Sequence, residues 1–304
     1  WSTSGGGAGK LKDQIESSCN TLLGAIVADI GRSTHTGEDN VFYLELSAIK
    51  TRQLGQFCVP LVEGEGVRDY CIRYNLLSLF PYDQTSGVPI EINYHSWNRH
   101  FWLFRTTLKQ RRDFGQYIEE RGLRWYDHSM FFPARFRTSL SIAFPFLATH
   151  NHFVLDRGGK VFDRPAPVIK LGEECTLSEH LRLLGLLNSS TACFWLKQVM
   201  APKGGGGIGR GIQDEAWETR YDISSTQLRK FPVPDTTPEA LAEQLDNSAR
   251  QYAEILPEEV AGQGVPDDAG WRDLHKKAQS LWQQMIALQE ELDWQCYQLY
   301  GLLD

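Results

Sequence analysis

Lysine and arginine are concentrated in one stretch of this 304-residue chain, residues 97–137, which holds nine of them against four acids. Guanidinium and ammonium groups at this density can bind the phosphates of a nucleic acid. The whole chain has a net charge of −7, but residues 235–304 hold 14 acids and only four basic residues. Because the local field governs binding more than the total charge, the composition is compatible with a duplex-binding surface. A solvated surface without a ligand is the alternative interpretation.

Motifs for catalysis are missing from the sequence. No acid lies two residues before a lysine, as many metal-dependent nucleases require, and there is no Gly-x-Ser-x-Gly nucleophile elbow. Residues 204–209 fit Gly-x-Gly-x-x-Gly without a preceding strand, and residues 4–10 depart from a phosphate-binding loop at both ends. His150 and His152 would share one face of a strand, but no third metal ligand is identifiable. The sequence therefore indicates binding rather than catalysis.

Short apolar or alternating runs bounded by turn residues predict β-strands at 41–46, 57–62, 139–144, 152–156 and 166–171. The last two runs flank Arg157-Gly-Gly-Lys160, whose paired glycines suit the positive φ angles of a tight turn. The pattern predicts a basic hairpin or turn tip there. Together the runs predict a mixed or antiparallel sheet.

Helical patterns occur between and after these strands, at 97–110, at 114–121, from Thr176 onward and at 190–200. In the first two helices, Arg105, Lys109 and Arg112 would lie on one basic face. Thr176-Leu-Ser-Glu179 is a capping-box sequence, which begins a helix. The glycine-rich stretch 203–211 predicts a mobile loop with a cation at each end.

Apolar residues recur every three or four positions from Trp271 onward, and a matching set occurs at 241–256. This spacing predicts an antiparallel helical arm with a structural role. The predicted fold class is therefore α+β, a mixed or antiparallel sheet domain with inserted helices followed by the arm. The predicted parts are a flexible or helical lead-in at 1–24, a sheet domain at 25–234 and the arm at 235–304.

The order of several segments resembles recognition domains of bacterial restriction-modification systems. The run Leu183-Leu-Gly-Leu-Leu-Asn-Ser-Ser-Thr191 is followed by a helix, a glycine-rich loop and Leu228-Arg-Lys-Phe-Pro-Val-Pro234. This arrangement is similar to type I specificity subunits and to type IIG and TaqI-like methyltransferases. The segments 148–162, 36–42 and 291–301 resemble PglX-type adenine methyltransferases of BREX phage-defence systems more closely. The resemblance extends from about residue 25 to the end of the chain.

The resemblance implies a catalytic domain that binds S-adenosylmethionine and methylates N6 of a flipped adenine, beside a recognition domain that grips the DNA. This chain has no Pro-Pro dipeptide, so it lacks the Asn-Pro-Pro-aromatic motif that holds the flipped base. We therefore expect the chain alone to be no enzyme and to bind no cofactor, with S-adenosylmethionine in a missing catalytic half. The expected partners are double-stranded DNA, the catalytic domain and other defence-system subunits, in the cytoplasm and without a membrane span. The alternative is a protein-interaction module that docks the methyltransferase onto those subunits.

In such a recognition domain, cations at phosphates set the register and polar side chains at base edges read the sequence. The resemblance thus makes 25–234 a DNA target-recognition domain. The expected main phosphate-contacting residues are Arg99, Arg105, Lys109, Arg111, Arg112 and Arg124. Further cations around them are Arg135, Arg137, Lys160, Lys197, Lys203 and Arg210. Asn151 and Arg157 are the expected base-reading residues.

Overall fold

Apolar runs separated by turn residues fold into short strands, and the 3-4 apolar repeats fold into helices, as the computed structural model shows for residues 6–91, 95–137, 140–203, 219–264 and 266–303. The described helices are α1 (Ala8–Ser17), α2 (Leu23–Ile26), α3 (Asp39–Phe42), α4 (Leu46–Arg52), α5 (His95–Leu103), α6 (Arg105–Lys109), α7 (Pro133–Arg137), α8 (Leu177–Leu187), α9 (Ser190–Val199), α10 (Ser225–Leu228), α11 (Glu239–Ala253), α12 (Pro257–Gln263) and α13 (Asp268–Leu299), with 3-10 helices at Gly55–Phe57 and Gly64–Gly66. The described strands are β1 (Thr21–Leu22), β2 (Asp29–Gly31), β3 (Thr34–His35), β4 (Tyr43–Glu45), β5 (Cys58–Val62), β6 (Val67–Arg68), β7 (Cys71–Ile72), β8 (Leu76–Leu79), β9 (Arg112–Asp113), β10 (Gln116–Tyr117), β11 (Met130–Phe131), β12 (Ser141–Ala143), β13 (Leu147–Ala148), β14 (Val154–Asp156), β15 (Val161–Phe162), β16 (Val168–Lys170), β17 (Ala201–Lys203), β18 (Arg220–Asp222) and β19 (Pro232–Val233). The predicted α+β class is confirmed. No helix in these ranges is both long and apolar enough to cross a membrane.

Two four-stranded sheets organise the first half of the chain. One has the order β14-β12-β16-β2 and is antiparallel throughout. The other has the order β15-β5-β8-β4, in which β15 runs parallel to β5. Four of the five residues of β5 are buried, because this sheet is covered on both faces. The prediction of a mixed or antiparallel sheet is therefore confirmed, although the strand predicted at 41–46 is reduced to β4 between two short helices.

The glycine pair after β14 forms a turn, as predicted, with φ of 89° at Gly158 and 75° at Gly159. The prediction of a hairpin there is wrong. The two strands predicted to flank the turn, β14 and β16, both pair with β12 and not with each other. The strand that directly follows the turn, β15, pairs with β5 in the other sheet, so the turn carries the chain from one sheet to the other.

The helix predicted at 114–121 is a second error. The chain forms the antiparallel β9–β10 hairpin instead, in which Asp113 pairs with Gln116. Its two turn residues, Phe114 and Gly115, have positive φ angles of 53° and 81°, which a right-handed helix excludes. Because α6 ends at Lys109, Arg112 lies on a strand and not on the helical face predicted for it.

The helix α8 begins with the predicted capping box. The Thr176 side chain accepts a hydrogen bond from the backbone N–H of Glu179, and the Glu179 carboxylate accepts one from the backbone N–H of Thr176. Most of α8 is buried, and it packs between the β12–β14 strands and α11. The helix predicted at 190–200 is also present, as α9.

The predicted helical arm consists of α11 and α13, joined through the short α12. The ring of Tyr252 contacts that of Trp282 at a tilted angle. Leu245, which comes earlier in α11, lies beside Met285 and Gln289, which come later in α13. The two helices therefore run antiparallel, as predicted. The arm shares one hydrophobic core with the lead-in and the sheet, because a single cluster contains Ile15, Ile142, Trp195, Leu245 and Leu292. The predicted boundaries at residues 24 and 234 stay a prediction.

Close packing of α8 against α11 depends on Gly185. A Cβ atom at Gly185 would lie 3.0 Å from Ala242 Cβ and 3.0 Å from Pro238 Cγ. We expect Gly185→Val to lower the free energy of unfolding by about 2–3 kcal/mol, because the added methyls force the helices apart. Gly262→Val in α12, where nothing lies within 4 Å, is the matched control and should change it by less than about 0.5 kcal/mol. Urea denaturation measures both; equal effects would show that the α8–α11 contact tolerates a larger residue.

A buried histidine joins three segments beneath the second sheet. His128 Nε2 donates to the Leu79 carbonyl (2.8 Å), so Nδ1 accepts from the Thr34 hydroxyl (2.5 Å). The backbone N–H of His128 donates to the Tyr82 hydroxyl (3.0 Å). Burial lowers the pKa of His128 to about 3. The imidazole is therefore neutral in the folded protein at any pH above that value.

Acid should consequently destabilise the protein through His128. Between pH 6.5 and 3 the unfolded chain binds a proton that the folded chain does not, so stability falls as the pH falls through this window. His128→Gln should reduce the slope of unfolding free energy against pH there by about 1.4 kcal/mol per pH unit. His275→Gln, at an exposed histidine of α13, is the control. Parallel pH profiles for the wild type and His128→Gln would contradict this account.

Candidate nucleic-acid interface

Arg111, one of the predicted phosphate-contacting residues, lies inside the protein. Its guanidinium donates to the backbone carbonyls of Leu108 (3.0 Å), Trp125 (2.7 Å) and Thr36. Burial lowers the pKa of Arg111 to about 10, and its side chain also lies over the ring of Phe42. This residue ties the segment after α6 to β3 and has no exposed charge to offer a ligand.

Three more cations of the basic stretch are held by carboxylates. Arg124 pairs with Asp127 at 2.5 Å and also donates to the Pro81 carbonyl. Arg135 pairs with Asp29 at 2.7 Å. Lys109 pairs with Glu119 at 2.8 Å. Their charges are thus largely neutralised by groups within the fold.

Four of the predicted cations in the basic stretch are exposed: Arg99, Arg105, Arg112 and Arg137. Arg105 lies over Trp102 and Arg112 over Tyr117, at 4.9 and 3.9 Å from the ring centroids. Arg99 lines a cleft of about 460 Å³ together with Arg52. Across the ranges that the structure describes, no ion pair holds these four side chains. They are the part of the basic stretch that is available to an anion.

The residues expected to read bases also have partners inside the protein. Asn151 Nδ2 donates to the carbonyls of Leu187 (2.7 Å) and Ser189 (3.1 Å), at the end of α8. Arg157 pairs with the buried Asp246 of α11 at 2.6 Å, which ties the glycine turn to the arm. The nearby cation Lys160 pairs with Asp156 at 2.8 Å. These contacts fix the position of the turn within the fold. They do not direct its side chains toward a ligand.

A different set of cations lines a cleft of about 710 Å³. Arg68 enters it from β6, Arg164 from the loop after β15, and Arg220 from β18. Glu63 and Glu65 lie on the same wall, and β13 forms part of the lining. Arg164 and Arg220 are exposed, whereas Arg68 is half-buried. The cleft therefore combines three guanidinium groups with two carboxylates.

Two hydrogen bonds and a close backbone contact fix the walls of this cleft. Arg68 Nη1 donates to the carbonyls of Gly64 (2.7 Å) and Val67 (2.6 Å). A Cβ atom at Gly64 would lie 2.5 Å from the Pro165 carbonyl oxygen, so only glycine lets this loop approach so closely. The guanidinium of Arg68 is thus held in place before any ligand arrives.

Two of the predicted cations lie near this cleft. Lys203 is in the small sheet formed by β13, β18 and β17, and Lys197 of α9 lies beside that sheet. Lys203 lies directly opposite Arg220 in the sheet, and it pairs with Asp222 at 3.3 Å. Lys197 lies 6.0 Å from the ring of Tyr221 on the same sheet. Like charges directly opposite each other destabilise a strand pair, and a bound anion would relieve that repulsion. Arg210 and the glycine-rich stretch 204–211 lie outside the described residues.

The rings of His150 and His152 contact each other at a tilted angle of 52°, with centroids 4.2 Å apart, and both line a second pocket with Asn151. Burial lowers the pKa of His152 to about 3, and burial together with the charge of Lys197 lowers that of His150. Both rings are therefore neutral near pH 7. Among the residues that the structure describes, no group of three possible metal ligands occurs.

The three cleft arginines were not among the predicted site residues. They lie far apart in the sequence, each in a segment of unremarkable charge, and the sheets bring them together. Only the strand pairing of β13, β18 and β17 places Arg220 near Arg164. No local sequence pattern indicates that these three arginines lie together in the fold.

No protein-family model matches this chain. Over 315 aligned positions the chain is 37% identical to the adenine-specific methyltransferase PglX of Streptomyces coelicolor. The alignment covers 99% of this chain. The chain is a homologue of one part of PglX. It spans a quarter of the length of that relative, since the match covers 25% of PglX.

One solved structure shows a related fold. The type IIL restriction-modification enzyme MmeI, solved in complex with DNA, matches with a TM-score of 0.52 and 14% identity. That match covers 94% of this chain and 34% of MmeI. The type IIG restriction endonuclease BpuSI matches with a TM-score of 0.49 and 9% identity, over 97% of this chain and 34% of BpuSI. The predicted resemblance to PglX and to restriction-modification enzymes is thereby confirmed.

Proposed function

We propose that this chain is the sequence-specific double-stranded DNA recognition module of an adenine-N6 DNA methyltransferase in a bacterial phage-defence or restriction-modification system. In this proposal, S-adenosylmethionine and methyl transfer belong to a catalytic part that the chain does not include. The observation that carries the proposal is the cleft with Arg68, Arg164 and Arg220 beside Glu63 and Glu65. Homology to part of PglX supports the link to methylation.

The mixed charge of the cleft suits base reading better than purely electrostatic binding. A guanidinium can donate two hydrogen bonds to O6 and N7 of guanine, and a carboxylate can accept one from N4 of cytosine. Arg68 is already held rigid, which lowers the entropic cost of such a contact. We assign base reading to this cleft, and to Arg68 in particular.

Phosphate contacts come from the exposed cations around the cleft and on the basic stretch. Lys203 and Arg220 form one such pair, and Lys197 of α9 lies near Tyr221 of the same sheet. Of the cations predicted from sequence, Arg99, Arg105, Arg112 and Arg137 remain in the proposed surface because they are exposed. Arg111, Arg124 and Arg135 are left out of it because they hold the fold together.

Selection from a random duplex library tests sequence reading directly. The chain should enrich a short motif over several rounds, and Arg68→Gln should relax the preference at one or more positions of that motif. Arg182→Gln, at an exposed arginine of α8, is the matched control and should leave the motif unchanged. Retention of duplexes without any enriched motif would contradict specific recognition.

The arm favours a second candidate function, as a protein-interaction module that docks the methyltransferase onto other defence-system subunits. Trp282 and Ile286 are exposed on α13 beside a groove of about 240 Å³ that Tyr70 and Met285 also line. If docking is the function, Trp282→Ala combined with Ile286→Ala should abolish association with a partner subunit. DNA binding should then be the same in this variant and the wild type.

A further inference from the structure

The β9–β10 hairpin carries an aromatic residue at a position where the backbone disfavours it. Asp113 pairs with Gln116, so Phe114 and Gly115 form a two-residue turn with positive φ at both positions. Asn-Gly or Asp-Gly is the usual sequence of such a turn, since a bulky side chain is strained at positive φ. The Phe114 side chain is also 85% exposed. One residue thus combines backbone strain with a fully solvated aromatic ring, which indicates a functional reason for its presence.

Guanidinium groups surround the exposed rings of this region. Arg121 lies 5.9 Å from the centroid of the Phe114 ring. Arg112 stacks on Tyr117 in the same hairpin, and Arg105 stacks on Trp102, which is 66% exposed. Pairs of an aromatic ring and a cation bind nucleic acid well, because the ring stacks on a base while the cation reaches a phosphate.

The acids of the hairpin are already engaged within the protein. Asp113 pairs with Arg121 at 3.2 Å and accepts a hydrogen bond from the Ser129 hydroxyl. Glu119 pairs with Lys109 at 2.8 Å, and Glu120 accepts a hydrogen bond from the backbone N–H of Tyr117 (2.7 Å). Within the part of the chain that is described, Arg112 and Arg105 have no carboxylate partner, so their positive charges are available to an anion. This charge favours DNA over a protein surface as the occupant.

The base of the hairpin is rigid. Arg111, the residue before β9, donates to the carbonyls of Leu108, Trp125 and Thr36 inside the core. The contact between Asp113 and Ser129 holds the first strand from the other side. An exposed ring on a fixed base can resist displacement, which a side chain must do if it is to separate stacked bases.

We propose that Phe114 is a wedge that inserts between stacked base pairs of the duplex held by the chain, while Arg112 contacts a flanking phosphate. The proposal rests on the proposed function. Apolar side chains inserted at a base step unstack it and kink the duplex. Pyrimidine–purine steps unstack most easily and are the steps that Phe114 should select.

Plasmid topology measures this wedge without knowledge of the recognition sequence. Closed circular plasmid is relaxed by a topoisomerase in the presence of the full chain, the protein is removed, and the topoisomers are resolved. The wild type should lower the linking number in proportion to the amount bound. Phe114→Asn should lose at least about four fifths of that shift at matched occupancy and bind about 10-fold more weakly. Phe114→Leu, which keeps an apolar wedge, should retain most of the shift.

Folding defects cannot account for this pattern, because asparagine suits the turn better than phenylalanine and Phe114→Asn should melt no lower than the wild type. Trp294→Ala, at an exposed aromatic residue of α13, is the matched control and should leave the shift unchanged. An unchanged shift in Phe114→Asn would overturn the wedge and leave the proposed function standing. The same holds if Phe114→Asn loses only its association with a methyltransferase catalytic part. A wild type that does not bind the plasmid would overturn both.

Discussion

Replacing Arg164 and Arg220 together with glutamine should weaken binding to a mixed-sequence duplex by about 100-fold. Each guanidinium that contacts DNA contributes roughly 1–3 kcal/mol to binding, and both are exposed on the same cleft. Neither is part of the hydrophobic core, so the free energy of unfolding should change by less than about 1 kcal/mol. Fluorescence anisotropy with a labelled duplex measures the affinity.

The matched control removes the same charge from the arm. Arg272 and Lys276 are exposed on α13. Changing both to glutamine should alter duplex affinity by no more than about threefold, because these residues lie outside the cleft. If the two double variants lose affinity equally, net charge governs binding and the cleft has no special role.

Arg111→Met should destabilise the fold by about 3–5 kcal/mol. The substitution removes three hydrogen bonds from a charged donor to the carbonyls of Leu108, Trp125 and Thr36, and each hydrogen bond to a charged group contributes roughly 1.5–3 kcal/mol. Methionine recovers part of this loss by filling the space with apolar atoms. Chemical denaturation of the purified chain measures the difference.

The neighbouring residue supplies the control for that experiment. Arg112→Met changes the same side chain one position later, where the guanidinium is exposed and stacks on Tyr117. We expect it to alter the free energy of unfolding by less than about 1 kcal/mol and to weaken duplex binding instead. Equal loss of stability in the two variants would show that Arg111 has no special role in the core.

Elements with a strong local signal were predictable from the sequence. The capping box at Thr176 fixes the start of α8 through contacts within one turn, so four residues suffice to specify it. The apolar repeat of α13 likewise matches its buried face, which includes Leu281, Met285 and Leu292. Local contacts decide both features.

The prediction failed where a distant partner decides the local conformation. Residues 114–121 have helical character, but Gly115 and Phe114 adopt positive φ, and the neighbouring Arg111 is held by Thr36, 75 residues away. The turn at Gly158 was predicted correctly, yet its two predicted flanking strands do not pair with each other, because β12, from an earlier part of the chain, lies between them. Tertiary contacts thus override the local pattern in both cases.

The sequence predicted a cationic binding surface, but it identified only some of the residues that form it. High local charge identified residues 97–137 as basic, but the sequence could not show that four of those cations are neutralised by Asp127, Asp29, Glu119 and Asp113. The cleft arginines 68, 164 and 220 come together only through the sheets. Lys197 and Lys203 are the predicted residues that lie closest to them by strand pairing and ring contact.

The salt dependence of duplex binding tests the central claim most directly. Each neutralised phosphate contributes about −0.9 to the slope of log affinity against log salt, so three or more cationic contacts predict a slope of about −3 or steeper. The measurement uses the full chain and a mixed-sequence duplex over a range of salt concentrations. A slope near zero, or no binding at the lowest salt, would contradict the assignment of this chain as a DNA recognition module.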